Sequence, residues 1–133
     1  MKVAKILGIL IAAYLGVIVV FESLLGYFQP AGQGTVVISS ADGDGQTHDR
    51  VVSRLESGGR LYVAVNHWPR AWYGRVLENP QVLVTIDGTP DAYTAVPVTG
   101  EEYDRVNAEH PLGAGFRVLT GFPPRKILRL DPR

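Results

Sequence analysis

No cysteine occurs in the 133-residue sequence. This absence excludes a disulfide framework, a thiol nucleophile and a cysteine-ligated zinc or iron–sulfur site, and it leaves the cellular compartment undecided. The sequence also contains no pairing of a nucleophile with a base and no cluster of metal ligands that would indicate hydrolysis.

An excess of positive charge is also missing, because 13 basic and 13 acidic residues cancel. A nucleic-acid-binding protein would normally carry a basic patch, so no nucleic-acid partner is predicted. Once an apolar N-terminal segment is set aside, the remaining length suits one domain of about 100 residues. The chain is too short for two such domains.

The N-terminal segment has the length and composition of a membrane-spanning helix. After Lys2 and Lys5, residues 6–21 are apolar, and the apolar character resumes after Glu22 and continues to Phe28. As a helix, residues 6–28 would extend about 34 Å, enough to cross a hydrocarbon core of about 30 Å. We therefore predict an anchor helix over residues 1–28, a linker over 29–34 and one domain over 35–133.

Two alternatives to a retained anchor remain open. A cleaved signal peptide has the same charged start and apolar core, although no small-x-small cleavage site follows the apolar run directly. An interfacial helix would carry an apolar stripe, whereas here apolar residues surround the axis. The lysines at the start predict a cytoplasmic N-terminus and an external domain, while a cytoplasmic cofactor would require the opposite orientation.

The rest of the chain alternates in the manner of β-strands. Runs of period two predict six strands, and two segments between them are predicted to be short helices. Together these elements make a mainly β (α+β) barrel. The strands are placed at 35–39, 48–56, 60–66, 81–87, 91–98 and 125–130, and the helices at 69–78 and 99–109. A capping box is expected at the second helix, with Thr99 as N-cap and Glu102 reaching back to it. Residues 112–116 are predicted to form a flexible loop, and the glycines at 113–121 lack the lysine and hydroxyl of a phosphate-binding loop.

Both tryptophans lie at the junction between the third strand and the first of these helices. His67, Trp68 and Arg70 lie at or beside the helix start, where anions bind readily, and Trp72 follows one turn later. An indole, an imidazole and a guanidinium together can hold a planar anionic ligand by stacking and charge-assisted hydrogen bonds. The alternative is structural, with the tryptophans in the core, His67 hydrogen-bonded and Arg70 solvated.

The same region resembles the deazaflavin-dependent nitroreductase and quinone-reductase family. The matching residues are Trp72-Tyr73, Leu77, Asn79-Pro80, Val82, Val84 and Gly88, within a similarity that runs roughly from Thr35 to Leu130. The resemblance implies a six-stranded split barrel, the fold also used by pyridoxamine-phosphate oxidases. It further implies a deazaflavin coenzyme (F-420 type), or alternatively FMN, and hydride transfer to a quinone-like or nitro compound. A homodimer is possible.

The resemblance implies roles for seven residues. Tyr73 would be the catalytic residue, donating a hydrogen bond to substrate or cofactor, and two tryptophans would provide stacking walls. Four cationic side chains would bind the cofactor's phosphate or carboxylate groups. The predicted cofactor-binding residues are Arg50, His67, Trp68, Arg70, Trp72 and Arg75, and no metal site is predicted.

The turn at residues 42–50 departs from the family pattern. In the family this turn is glycine-rich and basic, whereas here Gly45 and Arg50 are kept and Asp42 and Asp44 replace the expected cations. A carboxylate near a phosphate is repulsive by about 1 kcal/mol per close exposed pair. Two alternatives therefore stay open, namely an anchored binding barrel without cofactor, and a lipid- or haem-handling module with His67 as axial ligand. Calcium binding is not indicated, because the twelve-residue ligand pattern is absent.

Overall fold

The computed structural model describes residues 1–28, 34–66, 68 and 71–133. Its contacts divide the chain into two units, Met1–Gln29 with Leu112–Pro123, and Pro30–Pro111 with Pro124–Arg133. The helices are α1 (Lys2–Phe28), α2 (Ala71–Glu78), α3 (Gly100–Glu109) and α4 (Ala114–Thr120). The strands are β1 (Thr35–Ala41), β2 (Thr47–Ser57), β3 (Arg60–Val65), β4 (Gln81–Ile86), β5 (Thr89–Pro97) and β6 (Lys126–Pro132). The predicted linker at 29–34 lies almost entirely outside the described residues.

Six antiparallel strands close into a barrel in the order β1-β2-β3-β6-β5-β4. The closing pair joins β1 to β4, with Ile38 opposite Val84. Closure removes the unpaired strand edges that would otherwise invite association. Asp87 and Gly88 form the two-residue turn between β4 and β5, and both have positive φ (50° and 83°), as the twist of a tight hairpin requires. The predicted six-stranded barrel is confirmed.

The barrel interior is a cluster made mainly of β-branched residues. Alternation along β1 buries Val36 and Ile38 inside, and strand β3 is buried on both faces. Val63 and Val65 belong to the interior cluster, while the other face of β3 belongs to a second cluster with Val106 of α3. Helix α3 therefore covers the outside of the barrel at β3, which explains why that strand reads as continuously apolar.

Helix α2 contributes two side chains to the interior cluster. Trp72 and Val76 lie four residues apart on one face and are 2% and 1% exposed. Asn79 N–H donates to the Arg75 carbonyl and closes the helix before Pro80. Leu77, on another side of the helix, is 47% exposed and lies outside the core.

The capping box predicted for α3 is wrong. Thr99 occupies the N-cap position with extended backbone, but its side chain makes no capping hydrogen bond. Glu102 instead accepts two hydrogen bonds from Arg129 Nη1, at 2.6 and 3.1 Å. A charge-assisted pair with a guanidinium outweighs a contact with a backbone N–H, so Glu102 joins α3 to β6.

The loop predicted at 112–116 is also corrected, because α4 begins at Ala114 and belongs to the unit of α1. The rings of Phe21 and Phe116 meet edge to face at 5.8 Å, and Tyr14 Oη donates to the Val118 carbonyl at 2.8 Å. Contacts with distant residues thus stabilise a helix that Gly115 in its first turn would disfavour.

Residues Lys2–Leu25 of α1 are long and apolar enough to cross a membrane, with a mean hydropathy of 2.5, and a signal sequence passes the same test. Most of its large apolar side chains are exposed to the surroundings. Glu22 of the same helix is polar and is nevertheless buried, at 8% exposure. The predicted apolar helix is present, and its use as a retained anchor remains a prediction.

Candidate functional site

One end of the barrel carries a hydroxyl and guanidinium groups next to α2. The alternation of β1 continues past Val36 and Ile38 to Ser40, so this serine also faces inward and is 1% exposed. Arg75, on the first complete turn after Trp72, directs its Nε to Ser40 Oγ at 3.4 Å. A hydroxyl at the end of an apolar strand face is thereby paired with a cation from a different element.

Arg50 lies on the same inward face of the barrel. It is paired with Ile38 across β1 and β2, and residues opposite each other in an antiparallel pair project to the same side. Its Nε and Nη2 atoms are inaccessible to solvent. Ser40 is the diagonal neighbour of Arg50, so Arg50, Ser40 and Arg75 share one region, which we call the cationic end of the barrel.

The acidic turn beside this region folds back on itself. Asp42 Oδ1 accepts hydrogen bonds from the backbone N–H groups of Asp44 and Gln46, at 2.9 and 3.0 Å, and Oδ2 lies 2.7 Å from His48 Nε2. The hydrogen bond with His48 lowers the pKa of Asp42 below its ordinary value of 3.8. The Asp42 carboxylate is therefore ionised at neutral pH and hydrogen-bonded by its own turn. Asp44 remains exposed.

The predicted aromatic residues have unequal exposure. Trp72 is in the core, and its indole Nε1 is buried without a hydrogen-bond partner in the part of the chain that the structure describes. Tyr73 is half-buried and packs edge to face against Trp72 at 6.0 Å. Burial raises the pKa of Tyr73 above 10.0, so its hydroxyl keeps its proton at neutral pH. Trp68 is 43% exposed and offers a ring face to ligands more readily than Trp72 does.

Two of the seven predicted site residues cannot be placed, because His67 and Arg70 lie outside the described residues. The strand-to-helix junction that contains them is bounded by Asn66, whose Oδ1 accepts from Arg125 Nε at 2.8 Å. Arg125 Nη1 also donates to Asn107 Oδ1 at 2.9 Å. Burial of Arg125 lowers the pKa of its guanidinium. Arg125 thus ties the start of β6 to the end of β3 and to α3.

Sequence reasoning missed Ser40 and Arg125. The alternation of β1 could have identified Ser40 as inward-facing, because it lies two residues beyond Ile38. Nothing in the local sequence identifies Arg125, which follows a pair of prolines and whose partners are 18 and 59 residues away.

Grooves are also present near the β2–β3 turn. One has a volume of about 400 Å³, and it is lined by none of the predicted site residues that the structure describes. Its polar walls come from Arg54, Glu56 and Arg60, and Arg54 pairs with Glu56. Because the charge of Arg54 is balanced by Glu56, Arg60 alone among these three adds net positive charge, so this groove is a weaker candidate for an anionic ligand than the cationic end.

No family model matches the sequence, and no curated protein matches it significantly. Solved structures do match the fold. The heme storage protein HutZ from Vibrio cholerae is 20% identical with a TM-score of 0.59, and the match covers 76% of this chain and 82% of that one. An F420-H2 dependent reductase is 18% identical with a TM-score of 0.58, over 78% of this chain and 99% of that one.

A putative pyridoxamine 5'-phosphate oxidase from Listeria innocua is 17% identical with a TM-score of 0.51, over 76% of this chain and 85% of that one. At these identities the likeness establishes the fold alone. The barrel has the split-barrel architecture of these proteins. Its neighbours include a reductase and a heme storage protein, so the function must be argued from the residues of the site.

Proposed function

We propose that the protein is a membrane-anchored split-barrel reductase that binds a deazaflavin coenzyme, or alternatively FMN, at the cationic end of the barrel. Its substrate would be a quinone-like or nitro compound. The observation that carries this proposal is the convergence of Arg50, Ser40 and Arg75 on one inward-facing region, since guanidinium and hydroxyl groups are the donors that bind phosphate. The likeness to an F420-H2 dependent reductase supports the same class of cofactor.

Two of the predicted aromatic residues suit the ring system of such a cofactor. Trp68 has an accessible ring, and Tyr73, five residues further along the chain, keeps its proton and can donate a hydrogen bond. The bound cofactor would supply the hydride chemistry, while the protein orients it and excludes water. Tyr73 would hold its proton at the phenolic oxygen and donate a hydrogen bond to substrate or cofactor. His67 and Arg70 would add donors at the helix start.

Anchoring by α1 would place the barrel at a bilayer, where apolar quinone-like substrates concentrate. Support comes from the length, the hydropathy and the exposed apolar side chains of α1. A water-soluble helix would bury one face against its own domain, whereas a membrane helix leaves its apolar surface to lipid. The orientation across the membrane and a homodimer remain predictions.

The test is a titration of the full chain, in nanodiscs, with the deazaflavin coenzyme and separately with FMN, following tryptophan fluorescence. We expect saturable quenching, and we expect Arg75→Ala to weaken binding by about 10- to 150-fold, since a charge-assisted hydrogen bond contributes about 1.5 to 3 kcal/mol. Arg75→Lys keeps the charge and should weaken binding less. Arg54→Ala, at the groove near the β2–β3 turn, is the matched control and should bind as the wild type does.

Activity is tested by oxidation of the reduced coenzyme with a quinone acceptor, comparing wild type with Tyr73→Phe. A fall in kcat with unchanged cofactor affinity would support the donor role of Tyr73. Absence of binding to both cofactors would overturn the proposal and favour a binding barrel without cofactor. A haem-specific absorption band on adding haem would favour the haem alternative, which rests on His67.

A further inference from the structure

Leu112–Pro123, which we call the α4 segment, groups with α1 and not with the barrel strands on either side of it. The chain therefore passes between the two units three times, and a proline lies at or beside each passage, at Pro30, Pro111 and Pro123. Prolines suit such points because they end regular structure.

Contacts of the α4 segment lie along one stripe of α1. Tyr14, Ile18 and Phe21 recur at helical spacing and face the segment. At Gly121 the approach is close, because a Cβ there would lie 2.6 Å from Ile18 Cδ1. Tyr14 is midway along Lys2–Leu25, about 17 Å from the Leu25 end at 1.5 Å per residue. The contact with Val118 is therefore at the middle of the candidate membrane span.

Three backbone carbonyls near the end of α4 have partners within this unit. The Phe116 carbonyl accepts from Thr120 Oγ1 at 2.9 Å, and the Arg117 carbonyl accepts from Phe122 N–H at 2.9 Å. The Val118 carbonyl accepts from Gly121 N–H and from Tyr14 Oη. In water these groups could bind solvent, but in hydrocarbon an unsatisfied carbonyl is strongly destabilising. The partners of these three carbonyls are therefore compatible with a lipid environment.

Side chains on the outer face of the segment are apolar and exposed. Val118, Leu119 and Phe122 are 46%, 38% and 55% exposed. Arg117 is the one charged residue between Leu112 and Pro123, and its guanidinium lies 5.6 Å from the centre of the Phe122 ring. The Phe122 ring therefore gives this cation a partner within the segment.

We propose that the α4 segment enters the bilayer beside α1 as a re-entrant element, so that lipid covers Val118, Leu119 and Phe122. This inference rests on the membrane anchoring proposed above. It makes the attachment of the protein two-part, a spanning helix and a short segment that returns to the side from which it entered.

The absence of native cysteine makes single-cysteine spin labelling of the full chain a direct test. Ala13→Cys reports on α1, Val118→Cys and Leu119→Cys report on the α4 segment, and Ala108→Cys on α3 is the barrel control. Each labelled protein is placed in nanodiscs of phosphatidylcholine and phosphatidylglycerol. Power saturation is then measured with oxygen, which concentrates in lipid, and with a water-soluble nickel chelate.

We expect spin labels at positions 13, 118 and 119 to be relaxed by oxygen and not by the nickel chelate. The label at position 108 should be relaxed by the nickel chelate and not by oxygen. Nickel accessibility at 118 and 119, with lipid accessibility at 13, would overturn the re-entrant segment and leave the anchor intact. Low accessibility to both reagents at 118 and 119 would mean burial against protein and would also overturn it. Accessibility of position 13 to the nickel chelate would show that α1 is not in the bilayer and would overturn the proposed anchoring as well.

Discussion

The barrel and α1 are both rich in aliphatic residues but expose them to opposite degrees. In the barrel, Ile38, Val63, Val84 and Leu128 are 0% exposed, whereas Leu10 of α1 is 61% exposed. The hydrophobic effect drives the first arrangement in water and would forbid the second. The difference in exposure is what the proposed membrane anchoring of α1 would require, and the substitutions below apply the same change to both units.

The largest contrast is expected from removing three side-chain carbons from a leucine. Leu128→Ala should lower the free energy of unfolding of the barrel by about 2 to 5 kcal/mol, because it leaves a cavity in a closed core. Leu10→Ala on α1 should leave barrel stability unchanged. Urea denaturation of the full chain in micelles, followed by tryptophan fluorescence, measures both. Equal losses in the two variants would contradict the assignment of separate environments.

A smaller but still large effect is expected from an introduced charge. Ala13 and Ala108 are both exposed helical alanines, the first at the centre of the candidate span and the second on α3. Ala13→Lys should oppose insertion by about 2.5 to 3.5 kcal/mol and reduce the carbonate-resistant membrane fraction. Ala108→Lys should leave that fraction at the wild-type level. Unchanged membrane retention of Ala13→Lys would indicate that α1 does not span.

The smallest effect concerns the turn beside the cationic end. Because the pKa of folded Asp42 is lowered below 3.8, its ionised form adds stability above that value, and the contribution is lost as the pH falls through the folded pKa. The stability difference between wild type and Asp42→Asn should therefore shrink between neutral pH and about pH 2. Asp44→Asn controls for the loss of one carboxylate from the same turn. A stability difference between the two proteins that grows as the pH falls would contradict a lowered pKa for folded Asp42.

Local pattern was sufficient for the elements of the barrel. The period of two in residues such as Val36 and Ile38 specified strands, and the spacing of Trp72 and Val76 specified the buried side of α2. Helix α4 was missed because its stability comes from α1, and Tyr14 and Val118 are 104 residues apart. No local propensity records such a contact.

The sequence patterns also could not show the long-range contacts of the candidate site. The alternation of the strands placed Arg50 on a strand but could not show which groups would lie near it. The contact between Ser40 and Arg75 spans 35 residues and depends on how α2 closes the barrel. Asp42 was predicted to oppose an anion, and only the folded turn shows that its carboxylate is bound by its own backbone and His48.

The most direct test of the proposed function asks whether Arg75 recognises a phosphate. Binding to the full chain is measured for FMN and riboflavin, and for the deazaflavin coenzyme and its phosphate-free chromophore, in wild type and Arg75→Ala. We predict that wild type prefers the phosphorylated member of a pair and that Arg75→Ala loses this preference while still binding the ring. Equal weakening of both members, or no change in either, would contradict a phosphate site at the cationic end of the barrel.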